Sequence, residues 1–254
     1  DLAYRLKTGA TCMRFDYADF AAFDIHILQR SGAEHDFAEE VRAEAGRRFG
    51  EMDEARKAEL AKNIVFGLPG AAESFTLEDV RRHLAEYATI SAEGLRAHFI
   101  DFLEEVTPVA EELGLRLCCH PDDPPFGLLG LPRVMSTEAD YGAMMKAVDS
   151  PANGITLCSG SLGARPDNDL PGMMERLGDR VHFLHLRNVH RESTGIAGSF
   201  YECEHLGGDT DMVALMAAAI AEERRRKAAG RADWNIPFRP DHGLDILDDQ
   251  KRRA

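Results

Sequence analysis

Cys119-His120-Pro121-Asp122-Asp123-Pro124-Pro125 is the stretch on which the fold turns. It follows an apolar run, Leu113 to Cys119, that reads as a short buried strand. Pro121 has no N–H and cannot extend a ladder, and Pro124 and Pro125 stiffen the exit loop. The strand therefore delivers an imidazole and two carboxylates to its tip, all good ligands for a divalent cation. Three later segments repeat the form of apolar run, polar tip and turn. They are Ile155-Thr156-Leu157-Cys158-Ser159-Gly160, Val181-His182-Phe183-Leu184-His185-Leu186-Arg187-Asn188, and Ile236-Pro237-Phe238-Arg239-Pro240-Asp241-His242-Gly243.

Helix signals lie between these tips. Thr137 caps with Asp140 a helix running to about Val148, Leu170 to Leu177 ends at Gly178, and a helix spans Asp209 to about Ala229. The run from Glu222 to Lys227 reads as a solvated helix face. Strands are expected at about 115–119, 154–158, 181–186 and 234–239, with a Gly- and Ser-rich loop over 193–208. Strands alternating with helices imply a parallel sheet. Four such units are half of an eightfold barrel, whose chemistry sits at the C-terminal strand ends. That is where His120, Cys158, His185 and Asp241 fall. An open doubly wound sheet is the alternative, although its ligands gather at one switch point.

The first hundred residues read differently. Residues 1–35 are irregular, and Phe20 to Leu28 is short enough to be a strand or a buried helical turn. Residues 36–63 suggest one or two surface helices, and Gly67-Leu68-Pro69-Gly70 a turn. Thr76 and Asp79 form a capping box for a helix to about Tyr87. Ser91 to Leu113 is helical in spacing, with Pro108 expected to kink or break it.

The 254 residues carry 30 Lys and Arg against 44 Asp and Glu, a formal charge of −14, and are 44% apolar. That balance suits an ordinary soluble core and repels nucleic acid and anionic membranes. Five cysteines, at 12, 118, 119, 158 and 203, form no Cys-x-x-Cys pair, which points to reduced thiols in a cytoplasmic protein. No signal peptide or long apolar run stands out. The start at Asp1 and the end at Lys251-Arg252-Arg253-Ala254 suggest that both natural ends lie outside this sequence.

As an ordered set, these motifs strongly resemble the metal-dependent D-mannonate dehydratases of hexuronate catabolism. The resemblance is carried by HPDDPP (120–125) with GLPRVMST (130–137), NGITLCSGSLGARPDNDLP (153–171), HFLHLRNV (182–189), FYECEHLGGDTDM (200–212) and IPFRPDHG (236–243). The opening DLAYRLKTGATCMRFDYADFAAFDIHIL is similar too. The resemblance implies an α/β fold, a xylose-isomerase-like (β/α)8 TIM barrel, incomplete in this chain. Residues 1–254 would form one partial barrel domain, with 1–114 mostly a helical insertion before the His120 strand and 115–254 four βα units. It implies Mn²⁺ or Fe²⁺ held by His120, Cys158, His185 and Asp241, and acid–base chemistry at His242. The family's mechanistic tyrosine, in an Asn-Pro-Gly-Tyr-like stretch after PDHG, falls beyond Ala254. The implied substrate is a small sugar acid, D-mannonate, with self-association between copies left open.

Two imidazoles, a thiolate and a carboxylate carry a formal charge of −2, which matches a divalent cation; softness alone would favour zinc or Fe²⁺ over Mn²⁺. Arg187 shares strand parity with His185 and can clamp a carboxylate, or else form a structural salt bridge. Asp123 can turn the chain or hold a ligand histidine, while Asn188 and His205 are candidates near the site. His182 has the opposite parity and faces the helix layer. Two other readings compete: a sugar isomerase or epimerase on the same barrel, which would use more carboxylates and no thiolate, and an inactive truncated relative.

Overall fold

The structure is a computed structural model that describes residues 1–66 and 75–251. Its centre is a four-stranded parallel sheet. In chain order, short strands β1 (Tyr4–Arg5), β2 (Thr11–Cys12) and β3 (Arg14–Phe15) precede α1 (Tyr17–Ala22), which runs on into a π-helical turn, Phe23–Ile27. Then come α2 (Glu39–Glu51), α3 (Glu54–Phe66), α4 (Leu77–Tyr87) and α5 (Ala92–Glu112). The sheet region follows, with β4 (Leu117–Cys119), α6 (Glu138–Ala147), β5 (Asn153–Cys158), α7 (Ser159–Gly163), α8 (Leu170–Leu177) and β6 (Val181–His185). The chain continues through β7 (Val189–Arg191), β8 (Phe200–Glu202), α9 (Met212–Ala228) and β9 (Phe238–Arg239).

Strand order β4-β5-β6-β9, all parallel, gives an open arc in which each strand follows its predecessor through helical crossovers. This is the geometry of part of a barrel, and the described residues do not close it. Every residue of β5 is buried, so it is the sheet's spine. The register pairs Cys158 with His185 and His185 with Arg239, which brings the polar tips to one edge. The core of this region joins Ile155, Leu157, Val181 and Leu184 of the sheet to Tyr141, Met144, Met173, Met174 and Leu215 of the helices.

Several helix boundaries follow from local chemistry. Thr76 with Asp79 and Thr137 with Asp140 both make reciprocal capping boxes, and Ser91 caps α5. The Phe20–Leu28 stretch is helical, because Phe20 and Phe23 bury one face in a second core with Leu60, Val80 and Leu129. Helix α5 passes through Pro108 unbroken. The turn expected at Gly67-Leu68-Pro69-Gly70 lies outside the described residues. Among those described, no helix is long and apolar enough to cross a membrane.

Four expectations need correction. Leu113 and Leu115 are exposed at 64% and 55%, and Cys118 is exposed as well. Among the described residues, the run before His120 is an edge strand, paired on one side with β5. The last strand shrinks to Phe238 and Arg239, both exposed, at the other edge. The loop expected over 193–208 contains β8, which pairs with β3 and β7 in a small antiparallel sheet. The run Glu222–Lys227 is not a wholly solvated face. Arg226 is 1% exposed; its guanidinium pairs with Glu222 and donates to the Val181 carbonyl at 2.8 Å and to that of Gly178 at 2.5 Å. It ties α9 to the start of β6, where a lysine ammonium could not serve so many acceptors in one plane.

Without Arg226, Glu222 keeps Arg225, but the Gly178 and Val181 carbonyls lose their donor. Arg226→Ala is therefore expected to cost about 1–3 kcal/mol of stability. A urea transition whose midpoint stays within error of the parent would contradict this role.

Candidate metal and acid–base site

Cys158 ends β5 and is fully buried. It is also the N-cap of α7, and its Sγ accepts from the Ser161 N–H at 3.4 Å. His185, one strand over in register, brings Nδ1 to 3.2 Å from Cys158 Sγ and to 3.2 Å from His120 Nε2. His120 follows β4, and its Nδ1–H donates to the Pro121 carbonyl at 2.8 Å. That bond assigns the hydrogen to Nδ1 and leaves the Nε2 lone pair facing the other two residues. One donor atom from each of His120, Cys158 and His185 lies within 4.8 Å of the others, so the three could hold a metal ion.

Asp241, the fourth expected ligand, is not in that group of three. It sits past β9 in a left-handed backbone conformation, φ 61°, which a non-glycine residue adopts only at some cost. Its carboxylate is 4% exposed, with Oδ2 2.7 Å from His185 Nε2 and 3.1 Å from His242 Nε2, and Oδ1 2.6 Å from Arg239. Despite these distances, His185 Nε2 and Asp241 Oδ1 are buried without an aligned hydrogen bond. A ring nitrogen and a carboxylate oxygen this close need a proton between them, and it is the other nitrogen of the same ring, Nδ1, that faces Cys158 and His120. The donor set, thiolate, carboxylate and two imidazoles, fits a divalent ion.

Electrostatics point the same way. Burial alone would push the Cys158 thiol up; hydrogen bonds from His120 and His185, the Arg187 charge and Ser161 outweigh it and hold the thiol well below its ordinary value. Burial works against protonation of His120 as well, yet its contacts with the Cys158 sulfur raise it. His185 is raised chiefly by its hydrogen bond to Cys158. The buried sulfur thus carries charge that the surrounding imidazoles and Arg187 answer.

Arg187 is 7% exposed and already engaged. Its Nη1–H donates to Glu202 at 2.9 Å, and its Nη2 pairs with Asp123 and donates to Ser161 Oγ at 3.1 Å. The salt-bridge alternative describes this geometry, so the fork is not free to clamp a carboxylate. Gly160 makes the arrangement possible: a Cβ there would stand 2.2 Å from Arg187 Cγ. Asp123 accepts from Ser161 Oγ at 3.0 Å and from Arg187 rather than from a histidine, while Asp122 ties down the Met135 N–H and the Ser136 hydroxyl. Asn188 is consumed by the backbone, donating to the His205 and Thr210 carbonyls and accepting from Val189 and Thr210. His205 reaches the Pro240 carbonyl at 2.9 Å and braces the Asp241 loop. His182 is buried against the Pro151 carbonyl, and burial pushes it down to about 4.

His242 places Nδ1 2.7 Å from Glu202 Oε1, and this contact is the main reason its protonated form is favoured. The contacts close on themselves: Cys158, Ser161, Asp123, Arg187, Glu202, His242, Asp241, His185 and back to Cys158. Sequence reasoning passed over Glu202 and Ser161. The available signal was parity: Glu202 shares a strand face with Phe200, and both are buried.

Gly160→Ala should displace Arg187, destabilise the chain by about 1–3 kcal/mol and raise the Cys158 thiol pKa. Denaturation combined with thiolate absorbance measures both, and an unchanged thiol titration would contradict the linkage.

A family model described as D-mannonate dehydratase (UxuA) matches residues 1–254. The chain is 55% identical over 254 residues to a protein named mannonate dehydratase from Rhizobium meliloti (strain 1021), covering all of this chain and 63% of that protein. It is 56% identical, with the same coverage, to mannonate dehydratase 1 of Agrobacterium fabrum (strain C58 / ATCC 33970). It also resembles the crystal structure of mannonate dehydratase from Streptococcus suis serotype2, with TM-score 0.62 and 29% identity, over 97% of this chain and 54% of that one. The chain spans about 63% of the length of these two curated relatives. Its sequence across all 254 residues, its parallel αβ arc and its clustered strand tips agree: the chain belongs to the D-mannonate dehydratase family.

Proposed function

We propose that this chain carries the metal-holding and proton-moving part of a hydro-lyase site that converts D-mannonate to 2-keto-3-deoxy-D-gluconate and water. The observation that carries the reading is the convergence of His120, Cys158 and His185 at one sheet edge, with Asp241 and His242 against them, in a chain of this family. The ion would be Mn²⁺ or Fe²⁺, held by His120, Cys158, His185 and Asp241. Bound there, it supplies Lewis-acid stabilisation of the charge that develops on the sugar acid as C2 loses its proton.

The rest is work for the chain's own groups. The reaction removes a proton from C2 and hydroxide from C3, and the resulting enol becomes the ketone, so one proton must be taken and one given. His242 is placed to hold or move a proton at Nε2, the nitrogen on the Asp241 side. Arg187, locked between Asp123 and Glu202, contributes a fixed positive charge beside Cys158. Asp123, Asn188 and His205 support this frame through Arg187, the β6–β7 connection and the Asp241 loop. A small polyhydroxy acid leaves no role for nucleic acid, and five free thiols suit a reducing cytoplasm.

Metal affinity gives a pH test. To ligate, His120 and His185 must be unprotonated, and both are raised above 6.5 in the metal-free chain. Affinity is therefore full above that raised range and falls as pH drops through it. Co²⁺ titration should show a thiolate-to-cobalt absorption band that Cys158→Ser removes, with affinity weakened more than about 10-fold. Affinity independent of pH across this window would sink the ligand assignment.

The activity test uses the complete gene product with D-mannonate, Mn²⁺-loaded, Fe²⁺-loaded and chelated. Metal-dependent formation of the 2-keto-3-deoxy acid, lost in Cys158→Ser, is the expected result. Folded, metal-loaded protein that leaves D-mannonate untouched would overturn the substrate.

A further inference from the structure

We propose that Arg133 receives the carboxylate of the sugar acid, in the cavity between the helical region and the strand tips. The inference deepens the function proposed above and rests on that reading of the substrate.

A cavity of about 360 Å³, within the range of small-molecule sites, has Phe20, Leu60 and Ile64 on its helical side and Asp123, Arg187 and Glu202 on the other. Four guanidiniums line it: Arg14, Arg56, Arg133 and Arg187. Three of them are committed to carboxylates of the chain. Arg14 pairs with Asp16 and Glu192, Arg56 with Asp19 at 3.1 Å and Glu59 at 3.0 Å, and Arg187 with Asp123 and Glu202. Arg133 differs. Its Nη1 stands 3.7 Å from Asp122 Oδ1, beyond hydrogen-bond reach, and its Nε is buried with no partner among the described residues. A buried N–H on a cation is costly when it has no acceptor. A ligand oxygen in the cavity would supply one.

The fork has the chemistry for the task. Nε–H and an Nη–H of one guanidinium lie in a plane and can serve both oxygens of a carboxylate. The acidic groups around the cavity do not oppose the anion as bare charges, because Asp16, Asp19, Asp123 and Glu202 are each held by an arginine. The place is right as well. C2 and C3 are the carbons nearest the carboxylate, so the group that holds it must stand beside the reacting residues. Asp122, two residues after His120, accepts from the Met135 N–H at 2.8 Å and the Ser136 hydroxyl at 2.9 Å, and its own N–H donates to the Met135 carbonyl at 3.0 Å. These bonds pin the turn that carries Arg133 to the tip of β4. Across the cavity, two hydrogen bonds, of 3.0 and 3.2 Å, lead from Asp123 through Ser161 to the Cys158 sulfur. Arg133 thus takes the role for which the Arg187 fork is not free.

The test has two arms, both on the complete gene product. In the first, protein labelled with ¹⁵N in arginine is titrated with D-mannonate, with glycolate as the smallest 2-hydroxy acid, and with D-mannitol, the neutral polyol of equal length. It is run with the metal site empty and with diamagnetic Zn²⁺ bound. The Nε–H signal of Arg133, assigned by its loss in Arg133→Lys, should move with the acids and stay still with the polyol. In the second arm, Mn²⁺-loaded Arg133→Met should raise KM for D-mannonate about 10-fold or more, with kcat and metal content within about twofold of the parent. Arg133→Lys, which keeps the charge and loses the fork, should lie between the two; it serves if the methionine variant does not fold. A merely structural role would lower stability or metal content and leave KM alone. If the parent does not turn over D-mannonate, the substrate reading fails, and glycolate in the first arm still decides whether Arg133 takes a carboxylate. A signal unmoved by either acid in both metal states, one moved equally by D-mannitol, or a KM unchanged in both variants overturns the proposal.

Discussion

A sulfur held as thiolate with no exposure to water is the constraint from which the rest of this site follows. Cys158 lies at the end of the fully buried strand β5, where desolvation opposes charge. Four cationic or donor groups answer it: His120, His185, Arg187 and Ser161. Each then imposes its own requirement. His120 needs its far nitrogen satisfied, which the Pro121 carbonyl does. Arg187 must pass over α7 at a distance no side chain on residue 160 would permit, so that residue is glycine. Its own buried charge needs Asp123 and Glu202. The closed circuit of contacts is the result of meeting each of these demands in turn.

Much of this was legible in the sequence because it rests on local signals. Pro121 and the residues after Cys158, His185 and Arg239 mark where strands stop, and parallel strands that stop in register place their tips together. The boxes at Thr76 and Thr137 need only four residues to be recognised. The failures are nonlocal. Leu113 and Leu115 are apolar, but burial depends on having a neighbour on both sides, and among the described residues β4 has one on one side. The 200–202 strand sits in a polar stretch, and its partner, Arg14–Phe15, is nearly two hundred residues earlier. Arg226 lies in a charge run whose composition says solvent, yet one of its neighbours in the fold is the carbonyl end of a distant helix.

Arg187 illustrates how parity places a side chain without settling which of two roles it takes. Its alternation with His185 does bring it to the site, as the electrostatic link to Cys158 shows. A clamp for a substrate carboxylate needs a free planar fork, however, and here both terminal nitrogens are taken by the chain's own carboxylates. Sequence can report the direction of a side chain along a strand; it cannot report which acceptors the rest of the fold has already assigned to it.

The small antiparallel sheet then has a significance beyond its size. Strand β8 carries Glu202, and it is held by β3 on one side and β7 on the other. Strand β3 leads directly into α1, capped by Asp16, whose carboxylate also pairs with Arg48 of α2. Phe15 packs against Phe20 of the helical core and Phe200 of β8 at 5.5 Å between ring centroids in both cases. The helical region is therefore joined to Glu202, and through it to His242, by three residues of strand and a pair of aromatic contacts. Displacement of β3 would be transmitted to Glu202 before it reached His120, Cys158 or His185, which are fixed by the parallel sheet instead. The candidate ligands His120, Cys158 and His185 lie at strand ends of the parallel sheet, whereas Glu202, which touches His242, is carried by the antiparallel one, and Arg187 and Asp241 lie between the two sets of contacts.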